Sequence, residues 1–88
     1  MNYVLLRDEW YGPKDELFIA FDVYDEVIGE LVWQTDYYDV EEFDASLLDE
    51  LRSRIAEQCE TFKLTADLTS DSPTDWAEEW EERTVRED

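Results

Sequence analysis

The sequence predicts a single α+β domain in which a small antiparallel sheet of three to four strands packs against one amphipathic helix. Three observations predict this fold class. The chain has 88 residues, which suits one domain with a modest core. Residues 16–24 place apolar side chains at every second position, as strands do. Residues 45–60 repeat them at three- and four-residue steps, as helices do.

The first two strands are predicted at residues 2–7 and 16–24. Residues 2–7 are a short apolar run, and the Gly12-Pro13 step after it is typical of a turn. In the second strand, period two puts alternate side chains on opposite faces. One face is predicted to hold Leu17, Ile19, Phe21 and Val23, and the other Phe18, Ala20, Asp22 and Tyr24.

A third strand at residues 27–35 is predicted to complete an antiparallel meander. It is expected to place Val27, Leu31 and Trp33 on one face, with a bulge at Gly29. The acidic stretch 36–44 is interpreted as the entry to a helix.

The helix is predicted over residues 45–60, and either Asp44 or Ser46 is suited to cap its first turn. Its apolar stripe is Leu47, Leu48, Leu51, Ile55 and Cys59. Residues 62–68 alternate again and predict a fourth strand. Ser72-Pro73 is typical of a helix start, so a short acidic helix is predicted over residues 73–83.

Composition excludes several functional classes. The chain has 26 acidic and 7 basic residues, a formal net charge of −19, and a pI near 4.1. Binding to nucleic acid phosphates or to an anionic membrane requires a basic face, so neither is expected. Because 43% of the residues are hydrophobic and 15% aromatic, the chain is also unlike a disordered acidic tail.

The N-terminus lacks the features of a signal peptide, and no apolar run is long enough to span a membrane. The expected location is the cytoplasm, that of a host cell if the protein is phage-encoded.

Catalysis has little support in the sequence. Without histidine, the commonest acid–base group and every nucleophile–histidine pair are missing. The lone Cys59 falls on the helix stripe and is interpreted as a small buried hydrophobe. Residues 36–44 have neither the glycine nor the spacing of a calcium loop. We therefore expect no enzymatic activity, no cofactor and no specific metal site.

The acidic residues are clustered along the chain. Residues 36–50 hold seven acids and no base, and residues 71–82 are also acid-rich without a base. On a helical wheel over 73–83, Trp76 and Trp80 share one face and the acids occupy the other. The candidate partner-binding residues are Asp36, Asp39, Glu41, Glu42, Asp44, Asp75, Glu78, Glu79, Glu81 and Glu82. Tyr37 and Tyr38 are candidates either for added contact area or for the core.

The density of charge approaches that of a nucleic acid. Spread evenly over roughly 5,500 Å² of surface, the net charge amounts to one per roughly 290 Å². A duplex carries one per roughly 110 Å² by its charge spacing. If most of the excess charge lies on half of the surface, its density there is within a factor of two of the charge density of a duplex.

With these clusters, the chain resembles phage-encoded DNA-mimic inhibitors, which include anti-restriction and anti-CRISPR proteins. The resemblance is one of type: size, acidity, absent catalytic groups and a small α+β layout. It implies a stoichiometric inhibitor, a monomer or small homo-oligomer, that blocks the basic groove of a nucleic-acid-binding protein without binding nucleic acid itself. Two alternatives remain open, a halophile protein whose acidity serves solubility and an antitoxin or immunity protein against a basic toxin.

Overall fold

One α-helix and a five-stranded mixed sheet form residues 2–79, the part of the chain that the computed structural model describes. The predicted α+β class is therefore confirmed. The strands are β1 (Tyr3–Tyr11), β2 (Leu17–Asp25), β3 (Glu30–Gln34), β4 (Tyr38–Asp39) and β5 (Glu78–Glu79), and the helix is α1 (Ala45–Phe62). Two 3₁₀ turns span Val40–Glu42 and Pro73–Asp75.

The sheet has the order β3-β2-β1-β5, and β4 pairs with the first residues of β2. β1 and β2 pair antiparallel along their whole length, from Tyr3 opposite Asp25 to Tyr11 opposite Leu17. The turn between them is closed where the Gly12 amide donates to the Glu16 carbonyl at 2.8 Å. β5 pairs with β1 in parallel, so the sheet is mixed, and its other pairings are antiparallel, as the predicted sheet has them.

The two faces of β2 are those that its alternation predicts. Ile19, Phe21 and Val23 point towards α1 and are fully buried. Leu51 and Ile55 of α1 pack on them, as the helical stripe predicts. The opposite face of the sheet, which we call the open face, carries Leu6, Asp8 and Trp10 of β1 and Phe18, Ala20 and Asp22 of β2, as their pairing register shows. Trp10 on this face is exposed, whereas Leu6, Ala20 and Asp22 are buried.

The boundaries of α1 have identifiable causes. Asp44, and not Ser46, is the N-cap: its Oδ1 accepts from the Leu47 amide at 2.8 Å. At the other end Lys63 adopts the left-handed conformation, with φ 59°, and its amide donates to the Cys59 carbonyl. The helix therefore ends two residues later than predicted.

The predicted strand at residues 62–68 is wrong. Phe62 still belongs to α1, and residues 64–69 follow as an extended segment without strand pairing. Phe62, Leu64, Ala66 and Leu68 nevertheless pack against the core, which explains the alternating pattern. An alternation of apolar and polar residues predicts that every second side chain is buried. It does not predict that the backbone pairs with a neighbouring strand.

The predicted helix at residues 73–83 is not formed in its described part. Residues 73–75 make one 3₁₀ turn, Trp76 is buried in the core, and Glu78 and Glu79 pair with β1 as β5. Residues 80–83 lie outside the described residues. Pro73 opens a helical turn as predicted, but the Ser72 side chain makes no capping hydrogen bond. Backbone pairing with the β1 edge replaces the continuation of the helix.

The predicted face of β3 is also wrong. The register shifts between Val23 and Tyr24, so that Leu31 lies opposite Tyr24 while Trp33 lies opposite Val23. Leu31 and Trp33 therefore point to opposite faces. Gly29 lies in the turn before β3, with φ 69°, and not at the bulge.

Across residues 2–79, no helix has the length and apolar character needed to cross a membrane.

Candidate partner-binding surface

The first group of predicted acids follows β3 and leads into α1. This β4-side cluster consists of Asp36, Asp39, Glu41, Glu42 and Asp44. Four of the five side chains are exposed, and Asp39 is half-buried. Asp39 accepts from the Glu41 amide at 2.9 Å and Asp44 caps α1, so these two carboxylates also have structural roles. Local hydrogen bonds thus hold the backbone that carries the cluster.

The second group lies at the opposite edge of the sheet. This β5-side cluster consists of Asp75, Glu78 and Glu79, all exposed. Asp75 accepts from the Ser70 hydroxyl at 2.9 Å, and Glu79 lies 3.3 Å from Arg7. Glu78 and Glu79 are neighbours in a strand, not members of an acidic helix face. Glu81 and Glu82, the other two predicted site residues, lie outside the described residues.

The sheet sets the distance between the two clusters. β4 lies opposite residues of β2 that pair with Glu9 and Trp10, whereas β5 lies opposite Leu6 and Arg7. The two short strands are thus three strand spacings apart across the sheet, ~14 Å, and offset by three residues along it, ~10 Å. Their backbones are therefore about 17 Å apart, of the same order as the ~12 Å width of a DNA major groove.

Two of the five basic residues among residues 2–79 act inside the structure. Arg7 is buried and donates from Nη1 to the carbonyls of Thr74 and Ala77, the latter at 2.7 Å. Arg52 donates to the carbonyls of Leu68 at 2.6 Å and Ser70 at 3.2 Å. These contacts hold the segment that leads to β5. The same guanidiniums also pair with carboxylates, Arg7 with Glu9 and Glu79, and Arg52 with Asp49 and Asp71, so each also neutralises part of the acidic charge near it.

Arg52 also lies over the buried Trp76, with its guanidinium carbon 5.3 Å from the ring centroid. The Trp76 indole donates to the Ser70 carbonyl at 2.9 Å, the same carbonyl that Arg52 binds. The fold thus couples an arginine, a tryptophan and one backbone carbonyl beneath the β5-side cluster.

A third acidic group, Asp8 and Asp22, lies on the open face and is absent from the predicted site residues. Burial raises the pKa of Asp22 to about 6; a hydrogen bond with Gln34 opposes the rise, and the charge of Asp8 adds to it. Asp22 is only 3% exposed, and its Oδ1 has no hydrogen-bond partner. The sequence does hold one signal for this position: Asp22 is a charged residue within a strand whose other side chains are mostly apolar.

Tyr37 connects Asp8 to the exposed surface. Its hydroxyl donates to Asp8 Oδ2, and this hydrogen bond raises the pKa of Tyr37 to about 12, with smaller contributions from burial and from the charges of Asp8 and Asp22. Tyr37 is 44% exposed. Tyr38 instead packs against the core and against Phe43, and its hydroxyl accepts from Arg54 at 3.1 Å. The two alternatives for this pair are thus divided between its members.

The described residues contain no group of three or more Asp, Glu, Cys or His side chains arranged to hold a metal ion. Cys59 is half-buried against the core, where burial raises the pKa of its thiol, in agreement with its place on the helix stripe.

No protein-family model, curated protein or solved structure matches this chain.

Proposed function

We propose that this protein is a non-enzymatic acidic inhibitor that imitates nucleic-acid phosphates. It occupies the basic nucleic-acid-binding groove of a defence nuclease, such as a CRISPR effector or a restriction enzyme. The observation that carries the proposal is the placement of charge: exposed acids lie along both sheet edges, in a chain whose 26 acidic residues far outnumber its 7 basic ones.

The charge has a kinetic and an energetic consequence for such an inhibitor. A net charge of −19 steers a basic partner towards the chain and raises the rate of association. Self-repulsion at this charge opposes folding, so a neutral surface would suit a protein whose surface had no electrostatic role. The ordered backbone of both clusters reduces the entropy lost when a partner binds.

The proposal is tested with charge reversals that spare the structural carboxylates. Glu41 and Glu42 are exposed and are not the caps, so Glu41→Lys with Glu42→Lys alters the β4-side cluster while Asp39 and Asp44 stay in place. The matched control is Glu57→Lys with Glu60→Lys on α1, also exposed. Each Glu→Lys substitution raises the charge by two units, so the net charge goes from −19 to −15 in both double variants.

The measurement is inhibition of DNA cleavage by a panel of RNA-guided nucleases and restriction enzymes. We expect inhibition of at least one enzyme, relief by added duplex, and loss of potency with rising salt because screening weakens the attraction. The β4-side variant should need at least about tenfold more protein for half-inhibition, whereas the α1 control should remain within about threefold. An uninhibited panel, or equal losses in both variants, contradicts phosphate mimicry by this cluster.

The β5-side cluster needs a different design. Glu79 pairs with Arg7, so its reversal would disturb the anchor of β5 as well as the surface charge. Comparing Glu78→Lys with Glu79→Lys by both inhibition and thermal unfolding separates the two effects. If this edge contacts the partner, both variants lower potency by more than their loss of folded protein accounts for, whereas unchanged potency assigns contact to the β4-side cluster alone.

A further inference from the structure

The open face combines exposed aromatic and aliphatic side chains with two carboxylates. Trp10 is 53% exposed, Tyr37 44% and Leu31 42%. Trp10 and Asp8 are same-face neighbours on β1, about 7 Å apart along the strand, and Trp10 contacts Phe18 across it, with ring centroids 5.2 Å apart. Large aromatic side chains that remain exposed are typical of the centres of protein interfaces.

Asp22 is the anomaly on this face. Buried polar groups are normally hydrogen-bonded, and the other buried polar side chains of residues 2–79 follow that rule. Asp25 accepts from the Val27 amide at 2.9 Å, and Thr35 accepts from the Phe21 amide at 2.9 Å. Asp22 Oδ1 accepts no hydrogen bond in the free protein, and the charge of Asp8 repels the ionised carboxylate. A cationic hydrogen-bond donor would supply the missing hydrogen bond and offset the repulsion between the two carboxylates.

We propose, as an extension of the proposed function, that the open face receives an arginine side chain of the basic partner, with Asp8 and Asp22 as its acceptors. A guanidinium presents several donors in one plane and stacks on aromatic rings, so it suits two carboxylates with Tyr37 beside them better than a lysine ammonium does. Because Asp22 Oδ1 is covered in the free protein, the guanidinium reaches it only when the side chains that cover it move aside.

Charge identifies the occupant. A second copy of the chain would bring another −19 to the face and place its own Asp8 and Asp22 against this pair. That contact leaves the carboxylates unpaired and adds repulsion. A basic protein supplies the missing donor and the opposite charge at the same time, while its apolar side chains can cover Trp10 and Leu31.

The site is tested with a defined probe, N-acetyl-arginine methylamide, titrated into the full chain at about 0.15 M salt, where long-range attraction is screened. NMR amide shifts at Asp8 and Asp22 and the Trp10 indole shift report binding. We expect saturable shifts centred on these residues, with the lysine analogue binding more weakly. Shifts of equal size at all exposed acids, or equal affinity for the two probes, overturn the proposal.

Asp22→Asn is the decisive variant because it keeps the shape of the side chain and removes its charge. We expect at least about tenfold weaker arginine binding, the size of one lost charged hydrogen bond. Asp8→Asn is the second variant, and Glu57→Gln with Glu60→Gln, exposed on α1, is the control, which should bind within about twofold of the unaltered chain. Undiminished binding to Asp22→Asn overturns the proposal. So does concentration-dependent shifting of the same amides without probe, which would assign the face to a second copy.

Failure of this inference is distinguishable from failure of the proposed function. Against a nuclease that the unaltered chain inhibits, Asp22→Asn should raise the half-inhibiting concentration at least about fivefold. Unchanged inhibition overturns the arginine site and leaves phosphate mimicry standing. If no nuclease in the panel is inhibited, the proposed function fails, while the NMR titration still decides whether the open face binds a guanidinium.

Discussion

Asp22 gives the stability of the fold a pH dependence that follows from its burial. Its pKa is raised from 3.8 to about 6, chiefly by burial. A carboxyl group with a higher pKa in the folded chain than in the unfolded chain binds more protons when folded, so stability falls as pH rises between these values. The cost of the ionised form is absent below about pH 4 and complete above about pH 6.

Asp22→Asn should therefore stabilise the protein at pH 8 by on the order of 2–3 kcal/mol, the free energy that corresponds to the pKa shift. The gain should shrink as pH falls through 6 and vanish near pH 4. Urea unfolding at several pH values measures it. Because the whole surface also titrates, the difference between variant and unaltered chain is the relevant quantity, and the exposed Asp15→Asn is the control. A gain independent of pH would contradict this assignment.

At the scale of the element, α1 begins where one side chain satisfies its first turn. Asp44→Ala should cost about 1 kcal/mol because the Leu47 amide loses its acceptor. Asp44→Asn removes the same charge but keeps a capping oxygen, so it should cost much less. Ser46→Ala tests the other position that the sequence allowed and should be nearly neutral. Thermal unfolding followed by circular dichroism compares the three, and an equal loss in Asp44→Asn would assign the effect to charge.

β5 depends on an anchor from the neighbouring strand. Arg7→Lys keeps the charge but cannot reproduce the guanidinium's simultaneous contacts with Thr74, Ala77 and Glu79. We expect a loss of about 1–3 kcal/mol in urea unfolding, with a red shift of tryptophan fluorescence as Trp76 becomes exposed. Arg54→Lys, at an exposed position, should change stability by less than about 0.5 kcal/mol. An unshifted spectrum in Arg7→Lys would show that Trp76 stays buried without this anchor.

Elements held by local interactions were predictable, whereas those held by distant contacts were not. The cap at Asp44 and the stripe through Leu51 and Ile55 are encoded within one segment. The alternation of residues 62–68 is compatible with a paired strand and with an unpaired segment. The acids Glu78 and Glu79 are likewise compatible with a helix and with a strand. Pairing with β1, more than 70 positions away in the chain, decided that the latter form a strand.

For the whole molecule, the balance of repulsion and burial governs stability. Raising salt from about 0.1 M to 1 M shortens the screening length from about 10 Å to 3 Å and should stabilise the fold. We expect the protein to stay folded at the lower salt, because a core containing Phe21, Leu51, Ile55 and Trp76 is in place. Circular dichroism across this range is the measurement. Unfolding near 0.1 M would favour high-salt adaptation over mimicry.

The candidate surface was predictable in its residues but not in its arrangement. Residues 36–44 were identified because charge is a property of composition and the segment lies between two recognisable elements. That the two clusters occupy opposite sheet edges could not be predicted, since it depends on strand order. Asp22 was missed as a site, and Tyr37 was a candidate only for contact area or the core, because the proximity of both to Asp8 exists only across paired strands and a loop.

The sequence by itself determined the α+β class, the orientation of β2, the extent of α1 to within two residues, and an anionic surface. Each of these depends on periodicity, capping or composition, which act over one segment or over the chain as a sum. Tertiary structure alone decided that Arg7 and Arg52 bind carbonyls, that β5 joins β1, and that Asp22 is buried beside Asp8. Those results require contacts between groups that are distant in sequence. The free energy of such a contact depends on both segments together, so neither segment predicts it alone.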